Sequence, residues 1–126
     1  MGRVVHFEIP FANVDVIKNF YTQVFNWTFT KWEGPEDYWL IATGKNTEPG
    51  IDGGLIPVMG EMGATKGMIN TIDVDDLDQT LARVIANGGT EVMPKSPIPG
   101  VGWLAYVRDP EGTVIGMMQA DPEAHM

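Results

Sequence analysis

The chain has 126 residues, of which 44% are hydrophobic, and this length and composition predict one globular domain with a single core. The formal charge of −9 argues against nucleic acid and anionic membrane as partners, because both require a basic surface, and the absence of cysteine excludes disulfides and thiolate chemistry. With neither an apolar run of about 18 residues nor a signal peptide at its start, the protein is expected in the cytoplasm.

The first half of the chain has the pattern of one helix among four strands. A β-rich run at residues 4–9 precedes apolar residues at helical spacing, and Asn13 or Asp15 can cap this helix while Asn26 can end it. The apolar stripe of the helix consists of Val14, Ile17, Phe20, Tyr21, Val24 and Phe25. Three more strands are predicted at residues 27–32, 38–43 and 54–58.

The second half repeats this order. Residues 68–74 predict a strand, and Asp75 or Asp76 can cap a helix that stops at Gly88-Gly89. Its inward side consists of Leu77, Leu81, Val84 and Ile85, and the remaining strands are predicted at residues 90–93, 101–107 and 113–119. Residues 59–66, rich in Gly and Met, predict a linker. Each half is therefore a βαβββ module, the first over about residues 4–58 and the second over about 67–120 of a single domain, 1–126.

Four short motifs stand at a characteristic spacing. They are H-F-E-I-P at residues 6–10, Phe20-Tyr21 fourteen residues after His6, Phe25-Asn26-Trp27, and the turn D-P-E-G at residues 109–112 before an apolar strand. Their order and spacing resemble the glyoxalase, bleomycin-resistance and extradiol-dioxygenase superfamily, also called vicinal oxygen chelate. The resemblance implies an α+β fold in which two βαβββ modules form a curved cup-shaped sheet, with helices outside and the site within. It also implies a homodimer.

Strand alternation indicates which side chains face the cup. In the first strand Val5, Phe7 and Ile9 share the apolar face that must lie against the helix, so His6 and Glu8 point into the cup. In the second module the same argument leaves Ile69, Thr71 and Asp73 for the cup, and on the last strand Val114, Gly116 and Met118 alternate together.

The metal ligands that the resemblance implies are mostly missing. The first ligand of the superfamily falls on His6, the second on Ile69 and the final Glu on Gly116, while the remaining one lies within residues 53–56, where no side chain can coordinate a metal. A divalent ion needs several convergent donors, so we expect no metal at the usual place and no cofactor. The alternative is an unusual site in which Glu8 and Asp73 join His6.

The candidate ligand-binding residues are His6, Glu8, Trp39, Ile69, Asp73, Trp103 and Met118. Trp39 and Trp103 are candidate stacking walls for a planar or cationic ligand, and the proline-rich segment 97–103 is a candidate rim. His6 and Glu8 are also weak catalytic candidates, with Glu8 as base and His6 as donor or orienting group. A structural, hydrogen-bonded role for His6 stays open beside these.

Three functions are compatible with these features. Metal-free binding of a small, partly apolar molecule in the cup fits best, as in the antibiotic-sequestering members of the superfamily. A metal-dependent lyase or dioxygenase that uses His6 with non-standard ligands is the first alternative. The second is a non-catalytic dimeric interaction protein whose cup is filled by its own side chains, since fold alone does not decide function.

Overall fold

A computed structural model describes residues 2–34, 36–58 and 67–125 of the chain. The predicted linker at residues 59–66 lies outside the described residues. The chain divides into two compact units, a first unit formed by His6–Met68 and a second unit formed by Ile69–Met126 with Met1–Val5.

The first module contains one helix and four strands. In chain order they are β1 (Arg3–Phe11), α1 (Val14–Phe25), β2 (Thr28–Lys31), β3 (Trp39–Ala42) and β4 (Gly53–Pro57). The strands lie in the order β2, β3, β4, β1, with β4 parallel to β1 and β3 antiparallel to both of its neighbours.

The ends of α1 confirm the predicted caps. The Asn13 side chain accepts a hydrogen bond of 3.2 Å from the backbone N–H of Val16, which satisfies one of the free donors of the first turn. At the other end Asn26 has a left-handed backbone with φ of 62°, and its N–H donates to the carbonyl of Thr22.

The core of the first unit lies between α1 and one face of these strands. Its buried residues are Phe7, Ile9, Phe11, Ile41 and Leu55, and the half-buried residues packed against them are Val14, Ile17, Tyr21, Trp27, Phe29 and Trp39. The predicted alternation of β1 is therefore confirmed for Phe7 and Ile9. Val5, predicted to share that face, is 45% exposed and lies outside this cluster.

The second module repeats the arrangement. Its elements are β5 (Ile69–Asp73), α2 (Leu77–Ala86), β6 (Thr90–Ile98), β7 (Gly102–Arg108) and β8 (Val114–Ala120). The strands lie in the order β5, β8, β7, β6, with β5 parallel to β8. Asp76 caps α2 by accepting a 3.0 Å hydrogen bond from the N–H of Gln79. The core against α2 consists of Leu77, Ala105, Val107 and Met117.

Strand β6 differs from its prediction. It continues to Ile98, whereas the sequence predicted a strand that ends at residue 93 and a loop from residue 97. Pro97 pairs with Trp103, and only the turn between Ile98 and Gly102 reverses the chain. Prolines are tolerated here because β6 lies at the edge of the four strands and its pairing with β7 is interrupted by register shifts.

The α+β fold with two βαβββ modules is confirmed. Neither α1 nor α2, the helices within the described residues, is long and apolar enough to cross a membrane.

Candidate functional site

The candidate site lies on the face of the first unit that points away from α1. Because Phe7, Ile41 and Leu55 point toward the helix, the alternating neighbours point the other way. In the strand register, Gly54 of β4 lies between Glu8 of β1 and Leu40 of β3. These three positions therefore form a row across β1, β4 and β3. The predicted orientation of Glu8 away from the helix is thus confirmed.

Three polar side chains form a hydrogen-bonded chain on this face, and we call His6, Tyr38 and Glu8 the polar triad. The Nε2 atom of His6 lies 2.8 Å from the hydroxyl of Tyr38, and the same hydroxyl is hydrogen bonded to the carboxylate of Glu8. Glu8 is only 5% exposed. A carboxyl group buried to this extent is costly unless it has partners, and the Tyr38 hydroxyl is one of its partners.

The Gly53-Gly54 pair makes room for this arrangement. A Cβ atom on Gly54 would collide with the hydroxyl and ring of Tyr38, and a Cβ atom on Gly53 would lie 2.7 Å from the ring of Phe7. The two glycines therefore accommodate aromatic side chains on the two opposite faces of β4. The resemblance places a metal ligand within residues 53–56. There the Tyr38 hydroxyl fills the space that a side chain at position 54 would need.

The surroundings of the triad shift two pKa values. Burial, and then the charge and hydrogen bond of Glu8, raise the pKa of Tyr38 well above its usual range. Burial lowers the pKa of His6, and the charge of Asp52 opposes this effect in part. At neutral pH Tyr38 is consequently protonated and His6 is neutral.

Trp32 contributes the aromatic side chain next to the triad. Its ring stands edge-on to the ring of Tyr38, with centroids 6.1 Å apart, and the backbone N–H of Trp32 donates a 2.9 Å hydrogen bond to the Tyr38 carbonyl. Neither Tyr38 nor Trp32 was predicted from the sequence as a site residue. Alternation from the buried Ile41 would have placed Tyr38 on the face of His6, but only the pairing of β3 with β4 shows that its hydroxyl reaches Glu8.

The structure corrects the prediction for Trp39. This residue packs into the core on the α1 side, and the Nζ atom of Lys18 lies 3.7 Å from its ring centroid. It pairs with the buried Leu55, so it lies on the opposite face of the strands from the polar triad. Trp39 is therefore part of the helix packing rather than a wall beside His6 and Glu8.

Trp103 requires the same correction in the second unit. It packs against the cluster that faces α2, its Nε1 donates a 3.0 Å hydrogen bond to Asp121, and Lys95 lies over its ring at 4.9 Å. The hydrogen bond from Trp103 is the main cause that lowers the pKa of Asp121. The residue is held by the fold, away from the side of the sheet that carries Thr71 and Gly116.

The other candidates of the second unit are placed as alternation predicted. Thr71 pairs with Gly116, and Asp73 pairs with Met118, so these four share one face. A Cβ atom on Gly116 would lie 3.2 Å from the ring of Tyr106 and 3.3 Å from the hydroxyl of Thr71. Ile69 is fully buried, while Asp73 is exposed. The position of the expected Glu ligand is thus crowded by a tyrosine and a threonine.

The donor set does not fit the divalent metal of the superfamily. Only His6, among the positions that the resemblance marked, carries a donor side chain, and Tyr38 occupies the space at Gly54. Within residues 2–34, 36–58 and 67–125 no three His, Asp or Glu side chains are grouped as ligands of one ion. The alternative site formed by His6, Glu8 and Asp73 is not found among them.

Known proteins resemble this chain in sequence and in structure. The CFP32 protein of Mycobacterium tuberculosis, named as a candidate glyoxylase, is 31% identical over 112 residues, which cover 82% of this chain and 40% of that protein. A protein of Vibrio parahaemolyticus named as a probable lactoylglutathione lyase is 28% identical over 94% of this chain and 91% of its own length. The chain therefore spans about 40% of the length of the mycobacterial relative.

A crystal structure of methylmalonyl-CoA epimerase from Mycobacterium tuberculosis has the same fold, with a TM-score of 0.68 at 17% identity over 94% of this chain and 88% of that one. The sequence model of the Glyoxalase/Bleomycin resistance protein/Dioxygenase superfamily matches residues 3–117. The chain belongs to this superfamily.

Proposed function

We propose that this protein binds a small, partly apolar molecule on the face of the first unit that carries the polar triad, without a metal at the positions used by its superfamily. The observation that carries the proposal is the triad itself, in which a buried carboxylate is linked through a tyrosine to a half-buried histidine. Convergent polar groups with perturbed pKa values are typical of ligand sites.

The neighbours of the triad supply the apolar part of such a site. Leu40 lies in the same row as Glu8 and Gly54 and is 45% exposed, and the Trp32 ring stands against Tyr38. An apolar group of a ligand can be buried against these side chains while its polar group meets the triad. This combination of apolar and polar contacts is common in small-molecule sites, where a few polar groups fix the orientation of the ligand.

The test is a ligand screen on chelator-treated protein, followed by two-dimensional NMR. Small amines, alcohols and aromatic acids are added to the isotope-labelled full chain, and binders are expected to shift resonances of β1, β3 and β4 around the triad. The Tyr38→Phe variant should lose these binders. Tyr21→Phe is the matched control, because Tyr21 packs on Trp27 in the helix-side core and should leave binding unchanged. Binders that shift only other parts of the chain would contradict the proposal.

A lyase activity is the second candidate, and one observation favours it. Glu8 and His6 are residue types that transfer protons, and Tyr38 joins them in one hydrogen-bonded chain. The Vibrio relative is named for lactoylglutathione. Incubation of the protein with glutathione and a 2-oxoaldehyde, followed by the rise in thioester absorbance, tests this candidate, because the reaction favours the thioester. Turnover that Glu8→Gln abolishes would support it, and an unchanged thioester signal would eliminate it.

A further inference from the structure

Asn87 and Gly88 form the only Asn-Gly pair in the sequence, and they lie where α2 ends. The helix closes in a Schellman motif. In this motif the N–H of Gly88 donates to the carbonyl of Ile85 at 3.3 Å. The N–H of Gly89 donates to the carbonyl of Val84 at 2.9 Å. The turn needs a left-handed residue, and Gly88 supplies it with φ of 92°, so the helix end itself requires the glycine after Asn87.

Asparagine is a chemically labile residue, and the following glycine exposes it to attack. The backbone nitrogen of Gly88 can attack the side-chain carbonyl carbon Cγ of Asn87, because glycine has no side chain to shield that nitrogen. A bond forms between these two atoms, the Cγ–Nδ2 bond breaks, and ammonia leaves with the proton that the backbone nitrogen loses. Water then opens the cyclic imide at either carbonyl and gives aspartate or isoaspartate. Both residues are exposed, so water reaches them.

The closed helix end engages both reacting groups. The Nδ2 atom of Asn87 donates a 2.8 Å hydrogen bond to the carbonyl of Arg83, so the side chain is turned back along the helix. The attacking nitrogen of Gly88 keeps its hydrogen directed at the carbonyl of Ile85. Attack requires these hydrogen bonds to open, and helix ends open locally at a small cost in free energy. The reaction is therefore slower in the folded chain than in the unfolded chain.

The products fit this helix end poorly. A carboxylate at position 87 cannot donate to the carbonyl of Arg83, and its charge is unfavourable at the negative end of the helix dipole. Isoaspartate also lengthens the backbone by a methylene group just before Gly89. That glycine is tightly packed, since a Cβ atom on it would lie 2.5 Å from Cγ1 of Val84 and 2.8 Å from the carbonyl oxygen of Arg108.

We propose that Asn87 is a modification site, at which conversion to aspartate or isoaspartate is slowed by the closed end of α2 and destabilises the second unit once it has occurred. The inference is independent of the ligand site proposed in the first unit. Asn26, which ends α1, is an internal control. It is followed by Trp27, whose ring is stacked on the ring of Tyr21 at 4.8 Å, so a bulky side chain shields the neighbouring nitrogen.

The first measurement follows both asparagines in one sample of the full chain. The protein is incubated at mildly alkaline pH in native buffer and in urea that unfolds it, and peptide mapping by mass spectrometry counts the replacement of –NH2 by –OH at Asn87 and Asn26. In urea Asn87 should convert while Asn26 stays largely intact. In native buffer the conversion of Asn87 should be at least about tenfold slower. Equal rates for Asn87 in the two buffers, or no conversion in urea, would overturn the inference.

The second measurement tests the consequence with Asn87→Asp, which reproduces the aspartate product. Its urea midpoint should lie clearly below that of the unsubstituted protein. Asn26→Asp is the matched variant, because it also places a carboxylate at the end of a helix, but the Asn26 side chain makes no hydrogen bond within the described residues. Its decrease should therefore be smaller. A decrease for Asn87→Asp no larger than that for Asn26→Asp would contradict the destabilising effect.

Discussion

The two modules have the same backbone plan but use equivalent positions differently. Glu8 is paired with Gly54 in the first module, and Thr71 is paired with Gly116 in the second. In each module a tyrosine lies against the glycine, Tyr38 in the first and Tyr106 in the second.

The difference lies in the residues around the tyrosine. Two residues before Glu8 stands the half-buried His6, whereas two residues before Thr71 stands Ile69, which is fully buried. The first module thus carries a hydrogen-bonded chain of polar side chains, whereas the second has a threonine and an isoleucine at the equivalent positions. The same backbone plan therefore supports a chain of polar side chains in the first module without requiring the matching residues in the second.

The largest effect that separates the modules is expected from an added methyl group on their glycines. Gly54→Ala places Cβ on the Tyr38 hydroxyl and should reduce the free energy of unfolding by about 3 kcal/mol, because the ring must move. Gly116→Ala requires the Tyr106 ring to yield by only a few tenths of an ångström and should cost about 1 kcal/mol. Urea unfolding measures both. Equal losses would show that Tyr38 does not occupy the position of a side chain at Gly54.

The next effect concerns the hydroxyl of the triad. Tyr38→Phe removes the hydrogen bond to the buried Glu8 and should reduce the free energy of unfolding by about 2 kcal/mol. Tyr21→Phe is the control, because the Tyr21 hydroxyl makes no hydrogen bond within the described residues, and it should cost less than about 0.5 kcal/mol. Equal stability of the two variants in urea would contradict a stabilising role for the Tyr38 hydroxyl.

The two helix caps are expected to contribute equally to the stability of their modules. Asn13→Ala and Asp76→Ala each remove one side-chain acceptor from the first turn of a helix, so each should cost about 1 kcal/mol. Thermal unfolding of the two variants should give similar decreases in Tm. A much larger decrease for one of them would mean that the modules differ in their scaffold as well as in their site.

The smallest effect is a pH dependence that belongs to the first module. The pKa of His6 is lowered in the folded protein, so its contribution to stability is present above the unfolded value of 6.5 and is lost as the pH falls through the folded pKa. Urea unfolding at pH 7.5 and pH 5.5 should therefore show a larger loss for the unsubstituted protein than for His6→Gln. His125→Gln, at an exposed position, is the control and should keep the full loss. The same loss in all three proteins would contradict the role of His6.

Local signals were sufficient to predict most of the fold. Apolar spacing and the caps Asn13 and Asp76 located both helices, and alternation located the strands. The extension of β6 was missed because Pro94 and Pro97 are typical of loops, and only its place at the edge of the strands explains why they are tolerated.

The site could be predicted only in part. Alternation along one strand was enough to put His6 and Glu8 together, because that is a property of the local chain. Tyr38 was missed because its contact with Glu8 depends on how β3 and β4 pair, and pairing brings together residues that are distant in sequence. Trp39 was predicted as a wall of the site but faces the helix, because two aromatic residues stand side by side at positions 38 and 39 and composition does not tell which one faces the helix.

We propose that the first module works through hydrogen bonds of its own side chains and not through a bound metal. Calorimetric titration of the chelator-treated protein with Zn²⁺, Ni²⁺, Mn²⁺ and Fe²⁺, beside the His6→Ala variant, tests it most directly. We expect no tight one-to-one binding that depends on His6. Tight one-to-one binding that His6→Ala abolishes would contradict the account and make a metal-dependent enzyme the better description.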